Sequence, residues 1–438
     1  MTKTSASAKP RRRVVITGFG MVTCLGGNVA DTFAAARRGQ SGLRKITLFD
    51  ASNLPADVGG QVDDRHFAPE PDRPPYLNNL GYRAMDMMLA ASKEAFEQSG
   101  LGGESAPDRV ACMIGSHGED PPIEQIQHVL RHADENGNPR LRELLRQGGY
   151  DFLQFYRRKP DVTASLVATH FNCSGPTQSV VSACAAGPQA IGEAYRCIRR
   201  NHADAALCGG ADAKLNYAGY IGFVLLKALC ERYKTPETAS RPFDRRRAGF
   251  VMSEGAATLV IEELEHAKAR NATILGEILG YGDSADAYRI TDVHPRGEGA
   301  KAAMRMAMAD AGVAPEQVQY VNAHGTSTKQ NDKVESLAIR EVFGDHADNL
   351  PVSSNKSMLG HAIAAAGAIE AILTIQGMRE SVLLPTINYE SPDPKCPLPD
   401  YVPNEARDLE HSVALSNSFG FGGQNACLCL AKYLDAPA

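Results

Sequence analysis

Cys184 stands in the run VVSACAAGP (residues 180–188), where an apolar stretch gives way to small residues and then to a helical pattern. A thiol at such a turn faces unpaired N–H groups and the positive end of a helix dipole, which favour the nucleophilic thiolate. Ala185, Ala186 and Gly187 leave room for a substrate, and Pro188 is tolerated because the first helical turn needs no amide hydrogen. Taken alone, Cys184 is one of ten cysteines, and a small buried residue is the ordinary reading of any of them. His324 closes the strand pattern QVQYVNAH and opens the loop GTST, a placement that suits an acid–base group, although a core histidine bonded to a carbonyl fits as well. Lys356 and His361 share SSNKSMLGH, where the flanking residues are not those of an exposed lysine. Residues 417–423 (NSFGFGG) form a glycine-rich loop between apolar runs. No phosphate-binding Lys-Ser/Thr pair follows it and G-x-G-x-x-G is not matched, so backbone donors to an oxyanion suit it better.

These residues sit at the ends of regular elements. Short β-rich runs are expected at 13–18, 109–114, 178–182, 205–208, 256–262, 273–279, 318–322, 351–354, 413–417 and 425–430. Helical patterns lie between them at 82–99, 187–200, 299–311, 333–343 and 362–378. Such alternation indicates an α/β protein with partly parallel strands. The arrangement QSVVSAC-AAGPQAIGEAYRCI is repeated about 170 residues later as LPVSSNK-SMLGHAIAAAGAIEAILTI, which suggests an internal duplication. Residues 13–264 and 265–438 are expected as the two halves, preceded by a disordered tail over 1–12. Residues 117–170 are charged, with helices expected at 122–132 and 140–147, and read as an excursion that caps a pocket or builds a subunit contact.

Composition narrows the function. Of 438 residues, 43% are hydrophobic and 22% charged, as for a packed core. The net charge of -5 and the absence of Trp argue against nucleic-acid binding. No run approaches the roughly 18 apolar residues of a membrane span, and no apolar stretch near the start suits a secretory signal. None of the ten cysteines forms C-x-x-C or a zinc-ligand spacing, so a cytoplasmic protein with free thiols and no metal is expected.

In the order Cys, His, Lys, His, glycine-rich loop, the motifs resemble the β-ketoacyl-ACP synthase family of thiolase-fold condensing enzymes, most of all its elongating type II members. The likeness runs from RRRVVITGFGMVTCLG to SNSFGFGGQNACLCLAKYL and includes SRPFDRRRAGFVMSEGAATLVIEELEHAKAR, VNAHGTST and SSNKSMLGHAIAAAGAIE. It implies duplicated βαβαβαββ halves in a five-layer α-β-α-β-α sandwich. It also implies a decarboxylating Claisen condensation of an acyl-ACP with malonyl-ACP, without cofactor, in a homodimer. Cys184 would hold the acyl chain, and His324 and His361 would promote decarboxylation. Lys356 would order the site with Glu370 behind it. The amides of Cys184 and Phe421, within Gly420–Gly422, would form an oxyanion hole and gate. Thr326 and Thr328 would touch pantetheine, Phe223 would line the acyl tunnel, and Lys227 and Arg83 would meet the acyl carrier protein.

Neighbouring families are separated by residues. A degradative thiolase would carry a second catalytic cysteine in the glycine-rich loop, an initiating synthase would replace His361 by Asn, and a chain-length-factor subunit would lack Cys184. Other positions depart from the family pattern. Lys329–Asp332 (KQND) replaces a Pro/Gly-rich stretch and resembles type II polyketide ketosynthases. Gly118 aligns with a bulky pocket-limiting residue, which implies a roomier tunnel. Residues 245–247 (RRR) read either as a carrier or phosphate patch or as a solvated loop. These departures keep open a specialised polyketide or polyene-lipid ketosynthase, working as a heterodimer with a chain-length partner. A cysteine hydrolase on another fold is a further alternative, but it would not need the Lys356–His361 motif.

Overall fold

The computed structural model describes residues 11–69, 74–102, 105–148 and 152–434. Most of the expected tail, residues 1–10, lies outside them. Arg11 and Arg12 are tied down by ion pairs to Asp310 and Asp204.

Ten strands form one sheet system, and each arises where an apolar, β-branched run was expected. The first five are β1 (Val14–Val22), β2 (Val110–Gly115), β3 (Thr177–Val180), β4 (Ala205–Asp212) and β5 (Gly255–Glu263). The second five are β6 (Gly276–Ala285), β7 (Tyr320–Asn322), β8 (Val352–Ser353), β9 (Val413–Phe419) and β10 (Gln424–Ala431). The spatial order is β3-β2-β4-β5-β1 in one set and β8-β7-β9-β10-β6 in the other, the same permutation twice. The pairing sense repeats too. β2 is parallel to β3 and β4, as β7 is to β8 and β9, and the remaining pairs are antiparallel. The sets join where Val14, Val15 and Ile16 of β1 pair with Ile278, Glu277 and Gly276 of β6.

Six helices complete the layers. α1 (Arg83–Ser99) and α2 (Pro160–His170) cover the outside of the first set, and α4 (Glu298–Ala311) with α5 (Lys329–Phe343) cover the outside of the second. Between the sets lie α3 (Ala186–Arg199) and α6 (Ala366–Glu380), each touching strands of both. The result is the five-layer, thiolase-like sandwich. α6 can occupy the middle because its sequence is apolar or small on every side up to its last turn, save for Glu370.

The duplication reaches atomic detail. Each first strand carries a Gly-x-Gly pair against its outer helix. A Cβ on Gly18 or Gly20 would stand 2.1 or 2.2 Å from Ala95 O or Ala91 O of α1, and one on Gly280 or Gly282 would stand 2.4 or 2.1 Å from Ala307 O or Ala303 O of α4. Each central helix is entered through a residue with left-handed backbone, Ala183 (φ 49°) or Ile363 (φ 45°), followed by a short 3₁₀ turn. The matched turns are Ala183–Ala185 and Ile363–Ala365, which makes Ala364 the counterpart of Cys184.

The 117–170 segment differs from expectation at its end. Residues 160–170 form α2, whose Val162, Ala164 and Val167 are buried in the outer layer, so they belong to the core. The earlier helices, Ile123–Arg131 and Leu141–Arg146, do project, leaving Leu130, Leu141 and Leu145 exposed. Among the described residues no helix is long and apolar enough to cross a membrane.

The close strand–helix approach is testable. Gly282→Ala is expected to destabilise the chain by about 1–3 kcal/mol, because backbone rather than a flexible side chain blocks the new methyl. The urea midpoint reads this, with Gly222→Ala, where no atom lies within 4 Å of the new Cβ and the backbone is not left-handed, as the control for an added methyl without a clash.

Candidate active site

Cys184 lies in the 3₁₀ turn that leads into α3, buried between the two sheets. Its sulfur is 3.0 Å from His361 Nε2. The His361 and His324 rings meet edge to face with centroids 5.2 Å apart. One ligand atom from each of Cys184, His324 and His361 falls within 4.8 Å of the others. The structure therefore joins residues from a turn of the first half, the end of β7 and the turn before α6.

The glycine-rich loop follows β9 and closes over the thiol. The Phe421 amide, like that of Cys184 itself, is directed at the Cys184 sulfur. Gly420 lies so close that a Cβ there would be 3.3 Å from Cys184 N. Gly422 and Gly423 adopt φ of 88° and 73°, which glycine alone takes without strain, and Gly422 N donates to Ile290 O at 2.6 Å. The Phe421 ring packs beside Phe223 and Phe250, and Phe250 meets the His361 ring at 5.4 Å.

Two buried carboxylates hold this arrangement. Lys356 Nζ donates to Glu370 Oε1 at 2.5 Å, with both side chains 2% exposed. Glu335 of α5 accepts the His324 and Gly325 amides at 2.8 Å each and the side-chain amides of Asn331 and Asn417 at 3.3 Å. Sequence reasoning missed Glu335. Its signal was an acidic residue on the inward face of a helix, between Val334 and Ser336, two turns beyond the HGTST loop.

Burial decides the protonation states. It drives both His324 and His361 well below the ordinary imidazole value, and the Lys356 charge adds to the effect, so both rings are neutral. Burial also pushes the Cys184 thiol up to about 11, against the Phe421 amide and Lys356. The expected thiolate is thus corrected: at rest Cys184 is a thiol facing a neutral imidazole, because desolvation outweighs the helix start. Glu370 is raised to about 7 by burial, with Lys356 opposing. Cys184, His324 and His361 are also the one described cluster with metal-ligand types at close range, but Lys356 presents a positive charge to both imidazoles, which disfavours a cation there.

A cavity of about 430 Å³ leads to the thiol. Its mouth has Lys227 and Lys329, its wall Thr326 and Thr328, and its end Cys184, His324 and His361. The two threonine hydroxyls are 3.0 Å apart, and Thr328 caps α5. KQND is the first turn of that helix.

Comparison with known proteins agrees with this geometry. The sequence matches the beta-ketoacyl synthase N-terminal domain over residues 11–267 and the beta-ketoacyl synthase C-terminal domain over 275–390. The chain belongs to the β-ketoacyl synthase family. It is 42% identical to 3-oxoacyl-[acyl-carrier-protein] synthase 2 of Coxiella burnetii, over 97% of this chain and 100% of that protein. It is 40% identical to the protein of that name from Synechocystis, over 97% and 99%. A beta-ketoacyl synthase structure from Burkholderia phymatum superposes with a TM-score of 0.85 at 34% identity, covering 97% and 100%. The ishigamide ketosynthase/chain length factor gives 0.84 at 34%, with the same coverage.

Family positions outside the centre fare unevenly. Lys227 is exposed at the cavity mouth, as a carrier contact requires. Arg83 is not a free surface cation. Its guanidinium donates to Glu254 at 2.5 Å, to Val62 O at 2.7 Å and to Asp64, so it is committed to the interior. Gly118 does not line the Cys184 cavity but a separate one of about 330 Å³. Its φ is 71°, and a Cβ there would stand 2.2 Å from Arg158 O. Backbone geometry thus explains the glycine, which gives no reason for a roomier tunnel. Phe223 backs the Phe421 ring rather than forming the cavity wall. Of residues 245–247, Arg247 is buried, donating to Thr328 O at 3.0 Å and to Asp393 at 2.6 Å, and thus steadies the threonine loop.

The depressed imidazoles make stability depend on pH. Unfolded histidines take up protons below about 6.5, whereas the folded His324 and His361 do not. Their contribution is complete above that pH and is lost as pH falls below it. The difference in urea midpoint between wild type and His324→Asn/His361→Asn should therefore shrink steadily from pH 7 to pH 5.

Proposed function

We propose that the chain lengthens acyl groups by a decarboxylating Claisen condensation between an acyl-ACP, transferred to Cys184, and malonyl-ACP, as in fatty-acid synthesis. The observation that carries this is the convergence of the Cys184 thiol, two neutral imidazoles and two inward-facing amides at the end of one open cavity. Relatives named 3-oxoacyl-[acyl-carrier-protein] synthase 2 at 40–42% identity support the substrate class.

The first half-reaction starts with the thiol proton. His361 Nε2, 3.0 Å from the sulfur, accepts it as the sulfur attacks the thioester carbonyl. The carbonyl oxygen becomes an oxyanion between the Cys184 and Phe421 amides. Collapse expels the pantetheine sulfur, which takes the proton back from His361 and leaves the imidazole neutral. In the second half-reaction, His324 and His361, the latter now as its Nε2–H tautomer, donate hydrogen bonds to the malonyl thioester oxygen. Carbon dioxide departs, and the electron pair is held as an enolate. Its carbon attacks the acyl–Cys184 carbonyl, the tetrahedral oxyanion collapses, and the cysteine sulfur leaves as a thiolate that takes up one proton from water entering through the cavity. Thr326 and Thr328 line the path of the pantetheine arm, and Phe421 acts as a gate at the thiol. Lys227 at the mouth suits an acidic carrier protein.

A reduced cytoplasm fits the ten free cysteines. A homodimer fits the exposed edge strand β3 and the uncovered Val181 that follows it.

The test incubates the purified chain with acyl-ACP and malonyl-ACP and follows carbon dioxide and 3-oxoacyl product. Wild type should form product, and Cys184→Ala should lower the rate by about a thousandfold or more. Free fatty acid as the sole product would mark a hydrolase. His324→Ala should reduce carbon dioxide release while leaving acylation of Cys184 in place, as mass spectrometry of the intact chain reads.

A further inference from the structure

Two stretches far apart in sequence share the wall of the Cys184 cavity. Residues 226–228 and 248–250 supply part of it from the first half, and Thr326 with residues 328–331 supply part from the second. The first two pieces act as one unit, because Phe250 N donates to Ala228 O at 3.0 Å and Cys230 N to Phe250 O at 2.8 Å. The piece from the second half is a turn under constraint. Ser327 is fully buried with φ of 70°, a left-handed backbone that a residue with a side chain keeps only where its surroundings hold it. Contacts from 241–249 do so. Arg241 N donates to Ser327 Oγ at 3.0 Å, and Gly249 N donates to Ser327 O at 3.2 Å. Arg247, 3% exposed, spans the joint. Its Nε donates to Thr328 O at 3.0 Å and its Nη2 to Lys329 O at 3.2 Å. Its Nη1 donates to Asp244 O of its own segment at 2.9 Å and to Asp393 at 2.6 Å.

We propose that Arg247 is a positioning residue for the thioester arm: by tying Thr328 and Lys329 to its own segment, it fixes the Thr326 and Thr328 hydroxyls where the amides of a pantetheine arm pass. This rests on the proposed acyl transfer from a pantetheine thioester to Cys184. Arg247 does not line the cavity, and Asp393 at 2.6 Å and Asp332 at 3.6 Å balance its charge, so it acts through the turn and not as a phosphate contact. The turn is suited to an amide. Thr326 Oγ1 and Thr328 Oγ1 are 3.0 Å apart, and Thr328 Oγ1 already accepts the Asn331 amide at 3.2 Å. Whichever hydroxyl donates within the pair, one hydroxyl hydrogen is left for a ligand carbonyl, and the other hydroxyl keeps a lone pair for a ligand N–H. A planar guanidinium can reach two successive carbonyls and its own segment at once. The compact ammonium of a lysine has no such fork.

The test reads acylation of Cys184 rather than condensation, so it stands apart from the assay above. The full chain is offered one acyl group on two thiols, as acyl-pantetheine and as the S-ethyl thioester, which has no amide. Both are used below saturation, and acylation is timed by mass spectrometry of the intact chain. Arg247→Gln should slow acylation by acyl-pantetheine about tenfold and by the ethyl thioester less than about twofold, because only the longer arm uses the turn. Arg247→Lys should fall between wild type and Arg247→Gln with acyl-pantetheine. A merely structural role would slow both thioesters alike. A loss confined to acyl-pantetheine supports the proposal, and an equal loss with both, or none with acyl-pantetheine, overturns it. If Arg247→Gln does not fold, Arg247→Lys decides by the same ratio: a selective loss supports the proposal, and a ratio matching wild type overturns it. Wild type that takes the acyl group from neither thioester would instead overturn acyl transfer to Cys184 itself.

Discussion

A lysine sealed in the middle layer sets the terms for the whole site. The Lys356 charge is felt at His324, His361, Cys184, Glu335 and Glu370, which come from both halves of the fold. An ammonium in such a place is expensive to desolvate, and its pairing with Glu370 does not make it a gain in stability over an apolar pair. Its effect is electrostatic. It helps to keep two imidazoles neutral, ready to donate hydrogen bonds to a developing enolate, and it lowers the cost of negative charge on the nearby sulfur.

That arrangement needs a protein with a dry middle. A single sheet with helices on its outer face could not surround Lys356 and Glu370. Two sheets with α3 and α6 between them can, and each central helix then begins at a turn facing its twin. The Gly-x-Gly pairs in β1 and β6 belong to the same economy: they let the outer helices close onto the strands, so that two similar halves pack tightly on both sides of the central layer.

Much of this was legible in the sequence. All ten strands fell where short β-rich runs were expected, because strands covered on both faces, as all but the edge strand β3 largely are, show little but apolar and small residues. The order Cys184, His324, Lys356, His361 and the NSFGFGG loop named the family, since each residue follows a strand end that topology brings to one place. What escaped reading depends on distance across the fold. Glu335 and Asp212 look like ordinary acidic residues until their backbone partners are seen. Arg83 looked like a surface cation because nothing local shows Glu254, 171 residues away. Gly118 looked like an emptied pocket position, yet its backbone angle and Arg158 account for it. The charge state of Cys184 was read with the wrong sign, because a helix start is visible in sequence and the depth of burial is not.

The two turns show how one fold unit can hold chemistry while its copy holds structure. Both present a left-handed entry, a 3₁₀ turn and a helix start, so both have inward amides able to bind an anion. At Ala364 the anion is built in, since Asp212 Oδ2 accepts the Ala364 amide at 3.3 Å, and the turn is closed. At Cys184 no acidic side chain fills the place. The strand end there is followed by glycines, which bring the Phe421 amide to the sulfur and leave the position for an oxyanion that exists only during reaction. The same geometry therefore serves as a lock when a carboxylate occupies it and as a catalytic site when it is left for the substrate. Replacing the fixed anion by a transient one, and Ala364 by a thiol, is the main chemical difference between the halves.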